Sequence, residues 1–379
     1  MAAALAALLG GVSEAKADQM DPALERLTKP VVLTPATGAP VTYGSCTGLQ
    51  ANPNVPTGKF PGNITAGNLT GVAQCKPDNI AFAKLINQYA MVIAPNAMHT
   101  ARTTGYGGFI LSFELGITSL DNSADYLKKG TQGAVDPNSK KASVSNNDPA
   151  SSLPVYSIKV KKGFPLGFEV GAQVGYVGST NIVSGGADVR LALLEGFRKG
   201  ALGILPDIGI GSGVRTVTGT PQFQLTVASF DVQISKPFPV ADSSIISPYV
   251  GFQHLWIFGD SGLIDGTPNT DPLGYCGYSG PNVPGNADPK KTSGGGFDGQ
   301  PVCSGSPLDF NNTFVFEKVR IQRERLIIGV SYRYEVVFFG AQFMSDIKAP
   351  EDTGGKENKE KLAGVPKQST LAFELGAFF

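Results

Sequence analysis

The chain is short of charge, and the charge it carries is balanced. Only 16% of its 379 residues are Asp, Glu, Lys or Arg, and 31 basic residues stand against 31 acidic ones. Soluble domains carry about 25% charged residues, and proteins that bind nucleic acid usually show a basic excess. The composition therefore argues against an ordinary soluble domain and against nucleic acid as a partner.

Long apolar runs and clustered metal ligands are also missing. After the N-terminus there is no run of about 18 apolar residues, the length that a transmembrane helix needs. The chain has two histidines and four cysteines, and no two cysteines form a CxxC pair. Because zinc-site spacing is absent, we predict no metal and no cofactor.

The N-terminus has the pattern of a secretory signal over residues 1–17. An apolar stretch, Ala2 to Val12, leads to Ala15-Lys16-Ala17, which is a cleavage site of the A-x-A type. The alternative is a short N-terminal helix that remains on the protein. Export would favour disulfide formation by the four cysteines.

The next segment, residues 18–102, is rich in Pro, Gly and Asn and has one helical stretch. The stretch covers residues 79–92, with Pro77 and Asp78 before it and Pro95 after it as start and stop signals. We expect this segment to be periplasmic or to plug a lumen. The helix would then enter or cap the periplasmic mouth.

From Tyr106 onward the pattern changes to a period of two. In the stretch GGFILSFELGIT, the side chains from Phe109 to Ile117 alternate between large apolar residues and small or polar ones, Glu114 among them. Weak alternation predicts β-bulges in the sixth and eighth strands. Ten strands are predicted, near residues 105–118, 153–161, 166–178, 182–195, 202–215, 222–234, 245–258, 319–333, 335–346 and 368–379.

A soluble β-sandwich and a membrane barrel both consist of alternating strands. A sandwich would expose many charged residues on its second face, whereas here that face is mostly Gly, Ser, Ala and Gln. The longest connections follow odd-numbered strands, as in barrels with short periplasmic turns and long outer loops. Residues 103–379 are therefore predicted to form an all-β, antiparallel transmembrane β-barrel of about 10 strands (range 8–12) in the outer membrane.

The last ten residues, TLAFELGAFF, alternate in the same way and end on Phe379. This stretch resembles the closing strand of bacterial outer-membrane β-barrels, which characteristically ends on an aromatic residue. The resemblance implies that Phe379 belongs to an assembly signal read by the barrel-assembly machinery. It also implies that outer-membrane lipids surround the protein.

The predicted topology suggests how the cysteines pair. Cys46 and Cys75 precede the first strand, on the periplasmic side or in the lumen, whereas Cys276 and Cys303 lie in the loop after the seventh strand. Because the barrel would stand between the two pairs, we expect the disulfides Cys46–Cys75 and Cys276–Cys303.

The polar faces of the strands predict a charged lumen. Because the acids assigned to this face outnumber the bases, the lumen could be a cation-preferring path, but we favour paired charges that fill the interior of a ten-stranded barrel. Glu114 and Glu374 lie on strands that meet when the barrel closes, so they need a cation between them, from Lys159 or Arg333. The predicted lumen-facing charges are Glu114, Lys159, Glu169, Asp188, Arg190, Asp207, Asp231, Arg333 and Glu374.

Two kinds of function fit a protein of this class. One is a narrow pore that passes small solutes, or a structural or surface-interaction protein; the alternative is a lipid-modifying outer-membrane enzyme. His254 lies between Phe252 and Trp256 on one face, which favours a place in the aromatic girdle. The sequence has no close His-x-Ser pattern and places no carboxylate beside His254, so no catalytic residue and no enzymatic activity are predicted.

Overall fold

The computed structural model describes most of the C-terminal three quarters of the chain and parts of the remainder. The residues that it describes are 19–29, 32–33, 41–42, 76–134, 145–196, 205–241, 243–265, 276–278, 301–303 and 313–379. They divide into two compact units. The first contains residues 80–261 and 317–379 together with residues up to 22, and the second contains residues 23–79 and 262–316.

The first unit is built on ten long antiparallel strands. Their bounds agree with the ten predicted strands to within a few residues, so the predicted strand number is confirmed. The strands are β1 Phe109–Ser119, β2 Ser152–Phe164, β3 Phe168–Val177, β4 Val183–Leu194, β5 Asp207–Thr218, β6 Phe223–Ser235, β7 Ser244–Ser261, β8 Val319–Tyr334, β9 Val337–Asp346 and β10 Ser369–Phe378.

The ten strands form a closed barrel. Each strand pairs with its neighbours in sequence, and β10 also pairs with β1, which closes the sheet. At this seam Phe379 and Phe109 exchange two backbone hydrogen bonds, and their rings lie 6.1 Å apart. The last residue of the chain thus extends the ladder that joins the two ends of the sheet.

The two faces of each strand have different chemistry. Large apolar side chains point outward and are exposed, for example Phe113, Val174 and Ile328 at 48, 62 and 54%. The inward face carries buried polar and small residues, such as Ser112 and Glu114. An apolar exterior, a polar interior and a sheet without edges are what a strand-built membrane span requires, so the predicted transmembrane β-barrel is confirmed.

The connections define two ends of the barrel. At one end, the long-loop end, the strands β1, β7 and β9 finish, and residues 120–134, 145–151 and 347–368 lie there; at the other, the short-turn end, lie turns such as Glu335–Val336. The loop after β1 contains a helix, α2 (Asp125–Gly130), and the loop after β9 contains α3 (Lys356–Lys361). None of the helices among the described residues is long and apolar enough to cross a membrane.

The bulges predicted in the sixth and eighth strands are wrong. β6 and β8 pair with their neighbours without a break in register. The alternation in these strands is weak because their inward faces are apolar near the long-loop end, where Phe223, Leu225 and Ile321 are buried. Register shifts occur instead between β4 and β5, and where the short strand Phe238–Ala241 meets β7.

Helix α1, Asn79–Ile93, lies at the long-loop end. Its side chains contact Arg323 at the start of β8, Phe223 at the start of β6 and Tyr126 in the loop after β1. The sequence suggested that the helix could enter or cap the periplasmic mouth, and the short turns are expected on the periplasmic side. The structure places it at the opposite end, because residues 94–104 run back through the barrel before β1 begins.

The second unit consists of short paired strands, as far as its described residues go. Thr28–Lys29 pairs with Lys76–Pro77, Val32–Leu33 pairs with Val41–Thr42, and Ile264–Asp265 pairs with Thr313–Phe314. Residues 1–18, with the predicted signal peptide, are outside the described part of the chain, so the predicted cleavage after residue 17 stays a prediction.

The structure describes two of the four cysteines. Cys46 and Cys75 lie outside the described residues. Cys276 and Cys303 are directly opposite each other in a short antiparallel strand pair. The expected separation of the two pairs by the barrel depends on where Cys46 and Cys75 lie, and it stays a prediction. The predicted disulfides therefore stay predictions, supported for Cys276–Cys303 by the backbone register.

Candidate functional site

The interior of the barrel is the candidate site, and its long-loop end is closed by helix α1. Phe82, Leu85 and Ile86 of the helix are fully buried. Tyr89 packs against Phe223 of β6 at 6.1 Å. A Cβ atom at Gly259 of β7 would lie 2.6 Å from the Ile86 side chain, so only glycine lets the strand and the helix come this close.

Polar contacts fix the helix to the surrounding loops. Asn87 receives a hydrogen bond from Arg323 at 2.6 Å, and Gln88 donates one to the Tyr126 hydroxyl at 2.9 Å. Burial raises the pKa of Tyr126, which lies in α2, to about 12. The Tyr89 hydroxyl donates to the carbonyl of Met20, which ties the N-terminal residues to the same end.

Residues 95–104, the threaded segment, pass through the lumen without forming a helix or a strand. A segment without regular structure must find partners for its buried backbone groups, and here the inward-facing side chains of the barrel provide them. Gln253 and Arg325 donate to the Pro95 carbonyl at 3.0 and 2.9 Å. Further carbonyl acceptors along the segment belong to Asn96, Ala97, Met98, Thr100 and Arg102.

The barrel wall is shaped to receive this segment. A Cβ atom at Gly209 of β5 would lie 2.7 Å from the carbonyl oxygen of Ala101. Ala97 has a φ of 47°, a left-handed conformation that costs a residue with a side chain about 1–2 kcal/mol. Hydrogen bonds at the carbonyls of Asn96 and Ala97 hold that conformation. The inward glycines of the strands thus leave room for a chain rather than for water alone.

Buried ion pairs surround the threaded segment. Most of them join side chains on neighbouring strands, and one joins the segment to the wall. The pairs are Lys159–Glu114, Lys161–Glu374, Arg190–Glu169, Arg215–Asp188, Arg323–Asp346 and Arg102–Asp207. A further polar contact joins the segment to the wall, since Nε2 of His99 lies 3.3 Å from the Asp231 carboxylate.

The seam between β1 and β10 brings two carboxylates together. Glu114 and Glu374 are directly opposite in register. Lys159 donates to Glu114, as the sequence suggested, and Asn96 of the threaded segment donates to the same carboxylate at 2.8 Å. Glu374 is neutralised by Lys161 at 3.0 Å, a residue that the sequence reasoning missed.

The structure places eight of the nine predicted lumen charges inside the barrel. Seven are buried and Asp188 is partly buried, whereas Arg333 lies exposed at the rim of the short-turn end. There its guanidinium stacks 4.1 Å from the centre of the Phe378 ring. Residues that the sequence reasoning missed are Lys161, Arg215, Arg323, Arg325 and Asp346, all buried on inward faces.

The charged residues that the sequence reasoning missed change the charge balance of the lumen. Among the described residues, the buried acids equal the buried Lys and Arg residues in number, at six each. The acids are Glu114, Glu169, Asp207, Asp231, Asp346 and Glu374, and the bases are Lys159, Lys161, Arg190, Arg215, Arg323 and Arg325. Asp188, which is partly buried, and Arg102 of the threaded segment add one charge of each sign, so the lumen charges of the described residues balance and do not support a cation-preferring path.

A cavity of about 150 Å³ remains at the short-turn end of the lumen. It lies between the end of the threaded segment and the inward faces of the surrounding strands. Its walls include Met98, Thr104, Ile110, Tyr249 and Arg333. Towards the middle of the barrel the free space falls to about 20 Å³, so the cavity does not continue as a channel of comparable width.

His254 faces outward, between Phe252 and Trp256, as the alternation predicts. Its ring lies 4.5 Å from the Trp256 ring, and its Nδ1 lies 3.7 Å from Glu324 of β8. The sequence placed no carboxylate beside it because register between distant strands cannot be deduced from spacing. No group of three His, Cys, Asp or Glu residues within the described ranges could hold a metal ion.

Comparison with known proteins gives little beyond this geometry. No protein-family model and no curated protein matches the chain. Solved structures that it resembles include the attachment invasion locus protein Ail of Yersinia pestis (9% identity, 72% of this chain and 99% of that one, TM-score 0.24). Others are the KdgM porin in complex with disordered oligogalacturonate (6%, 71% and 98%, TM-score 0.26) and LpxR from Salmonella typhimurium (8%, 71% and 100%, TM-score 0.29).

Likeness at these TM-scores carries no argument, so the class of the protein rests on its own strand pairing. Ten antiparallel strands close into a barrel that is apolar outside and polar inside. Barrels with an even number of strands, short turns at one end and long loops at the other are the outer-membrane type. The chain is an outer-membrane β-barrel protein.

Proposed function

We propose that this protein is a structural or surface-interaction barrel whose lumen is closed in its resting state. The observation that carries the proposal is the threaded segment, whose carbonyls are hydrogen-bonded by inward-facing side chains from Pro95 to Arg102. A segment bound along its length fills the space that a solute would need. Helix α1 adds an apolar seal at the long-loop end.

In this proposal the long-loop end faces the outside of the cell. Outer-membrane barrels have short periplasmic turns and longer outer loops. The barrel would then hold helix α1 at the cell surface. The partner that meets this surface would be another macromolecule or the outer-membrane lipids.

Cysteine labelling on intact cells tests the orientation. In a background with the four native cysteines replaced by serine, Ser123→Cys in the loop after β1 and Ile80→Cys on α1 should react with a membrane-impermeant maleimide. Glu335→Cys, in the turn between β8 and β9, should react only after the cells are lysed. Labelling of Glu335→Cys but not of Ser123→Cys on intact cells would reverse the orientation and contradict the proposal.

The second candidate is a narrow pore that opens when the threaded segment moves. The cavity at the short-turn end and the charged middle of the lumen support it, since a permeating solute would meet polar walls there. A liposome-swelling assay with small sugars tests it. Swelling with the full-length protein would favour the pore over the closed barrel.

The lipid-modifying alternative would need His254 to act as a base. Its contacts with Trp256 and Glu324 are also those of an interfacial anchor, and we propose that anchoring is its role. Lipid hydrolysis by the purified protein that is lost in His254→Ala would favour the enzyme. Background hydrolysis in both proteins would favour the anchor.

Assembly is proposed to depend on Phe379. The hydrogen bonds between Phe379 and Phe109 support this, because they lie at the seam that joins the two ends of the sheet. Replacing Phe379 with Asp should leave the barrel unassembled by the barrel-assembly machinery. Normal amounts of folded, heat-modifiable protein in the outer membrane would refute it.

A further inference from the structure

The cavity at the short-turn end has one apolar wall. Ile110 of β1 and Phe338 of β9 line it and are 5 and 7% exposed. Phe378 and Ile245 line the same space, and Phe338 and Phe378 meet edge to face with ring centres 5.3 Å apart. Apolar surface of this kind, gathered around a space of about 150 Å³, can accept a benzene-sized body.

The polar wall of the cavity carries charges of both signs. Lys161 and Arg190 line it, and each is paired with a glutamate that also lines it, Glu374 and Glu169 respectively. The Nε atom of Arg190 is buried and has no hydrogen-bond partner among the described residues. A buried donor of this kind is costly unless something accepts from it.

Arg333 is a positively charged residue of the cavity that is not part of an ion pair with a described residue. It has no acidic partner among the described residues, in contrast to Lys161 and Arg190. Its Nε donates to the carbonyl of Glu335 at 2.8 Å, and its guanidinium lies over the Phe378 ring. Both contacts hold the guanidinium at the rim of the cavity and leave its terminal nitrogens to serve as donors.

We propose that this cavity is a binding site for a small organic monocarboxylate with an apolar body, of about the size of benzoate. The carboxylate accepts two hydrogen bonds from the planar guanidinium of Arg333, a geometry that arginine offers and lysine does not. The apolar body lies against Ile110, Phe338 and Phe378. The site is independent of the proposed surface role, since it can be occupied whether or not the barrel conducts.

Isothermal titration of the refolded protein in detergent micelles with benzoate tests the site. We expect saturable binding, and a loss of affinity of about 10-fold or more in Arg333→Gln, the effect of removing a charge-assisted bidentate contact. The affinity of Arg333→Lys for benzoate should lie between those of the unaltered protein and Arg333→Gln. Lysine keeps the positive charge but cannot donate two parallel hydrogen bonds from a planar group. Benzamide, which has the same ring without the charge, should bind more weakly than benzoate.

Arg320→Gln is the matched control. Arg320 also lies over a phenylalanine ring, that of Phe258 at 5.4 Å, but on the outer surface, so its replacement should leave benzoate binding unchanged. Heat-modifiability shows that each variant is folded. The proposal is wrong if benzoate does not saturate the protein, if Arg333→Gln binds it as tightly as the unaltered protein, or if benzamide binds equally well.

Discussion

The two ends of the lumen differ in how completely they are filled. At the long-loop end, helix α1 packs on apolar inward faces, and Arg323 and Asp346 form an ion pair in which each side chain is 1% exposed. At the short-turn end a cavity remains, and Arg333 lies at its rim without an acidic partner among the described residues. The long-loop end is packed like a protein core, whereas the short-turn end has the free space of a binding pocket. A single barrel can therefore be closed at one end and receptive at the other.

Replacing Asp346 with Leu should have the largest effect on this comparison. It leaves the buried guanidinium of Arg323 without its counter-charge, and breaking a buried pair in this way costs about 3–5 kcal/mol. The free energy of unfolding, from urea titration of the protein refolded in lipid vesicles, measures the loss. Asp260→Leu is the control, because the pair of Asp260 with Arg320 is more than one-third exposed and contributes about 0–1 kcal/mol. Equal losses in the two variants would mean that the long-loop end is open to water.

Replacing Glu114 with Leu should destabilise the middle of the lumen, by about 3 kcal/mol, because it leaves Lys159 buried and unpaired. Lys159→Met added to Glu114→Leu should restore part of the loss, since no uncompensated charge then remains. The same unfolding titration on the single and double variants gives the coupling energy. A double variant whose loss equals the sum of the two single losses would show that the pair is screened by water.

Replacing Arg333 with Gln should have the smallest effect on stability. Its side chain is exposed and makes no ion pair with a described residue, and surface substitutions of this kind change stability by about 0.5 kcal/mol or less. The free energy of unfolding of Arg333→Gln should therefore equal that of the unaltered protein within error. A loss near that of Asp346→Leu would mean that the short-turn end is packed as tightly as the long-loop end.

The strands were predictable because alternation is a local property. Phe113 and Glu114 reveal their faces through their immediate neighbours, so ten strands, their order and the outward position of His254 followed from the pattern. The signal failed in β6 and β8, where inward Phe223 and Ile321 meet helix α1. In both strands the apolar residues change from the inward to the outward face along the strand, as from Ile321 to Leu326 in β8, so one alternation phase does not continue although the register is unbroken.

The position of the N-terminal segment could not be deduced from spacing. The sequence has a helix stop at Pro95 and a strand start at Phe109, but nothing in it says that the intervening residues cross the barrel. The inward glycines were visible, and the structure gives their reason at Gly209 and Gly259, where backbone and helix approach. Pairings such as Arg323 with Asp346, and His254 with Glu324, depend on strand register and loop contacts, which sequence alone does not give.

The central claim is that the threaded segment closes the lumen, and single-channel recording in a planar bilayer tests it most directly. The full-length protein should insert and give no steady conductance. A variant that lacks residues 19–104, shown to be folded by its heat-modifiability, should give open channels, because helix α1 and the threaded segment are then gone. A steady conductance from the full-length protein, equal to that of the shortened variant, would contradict the account.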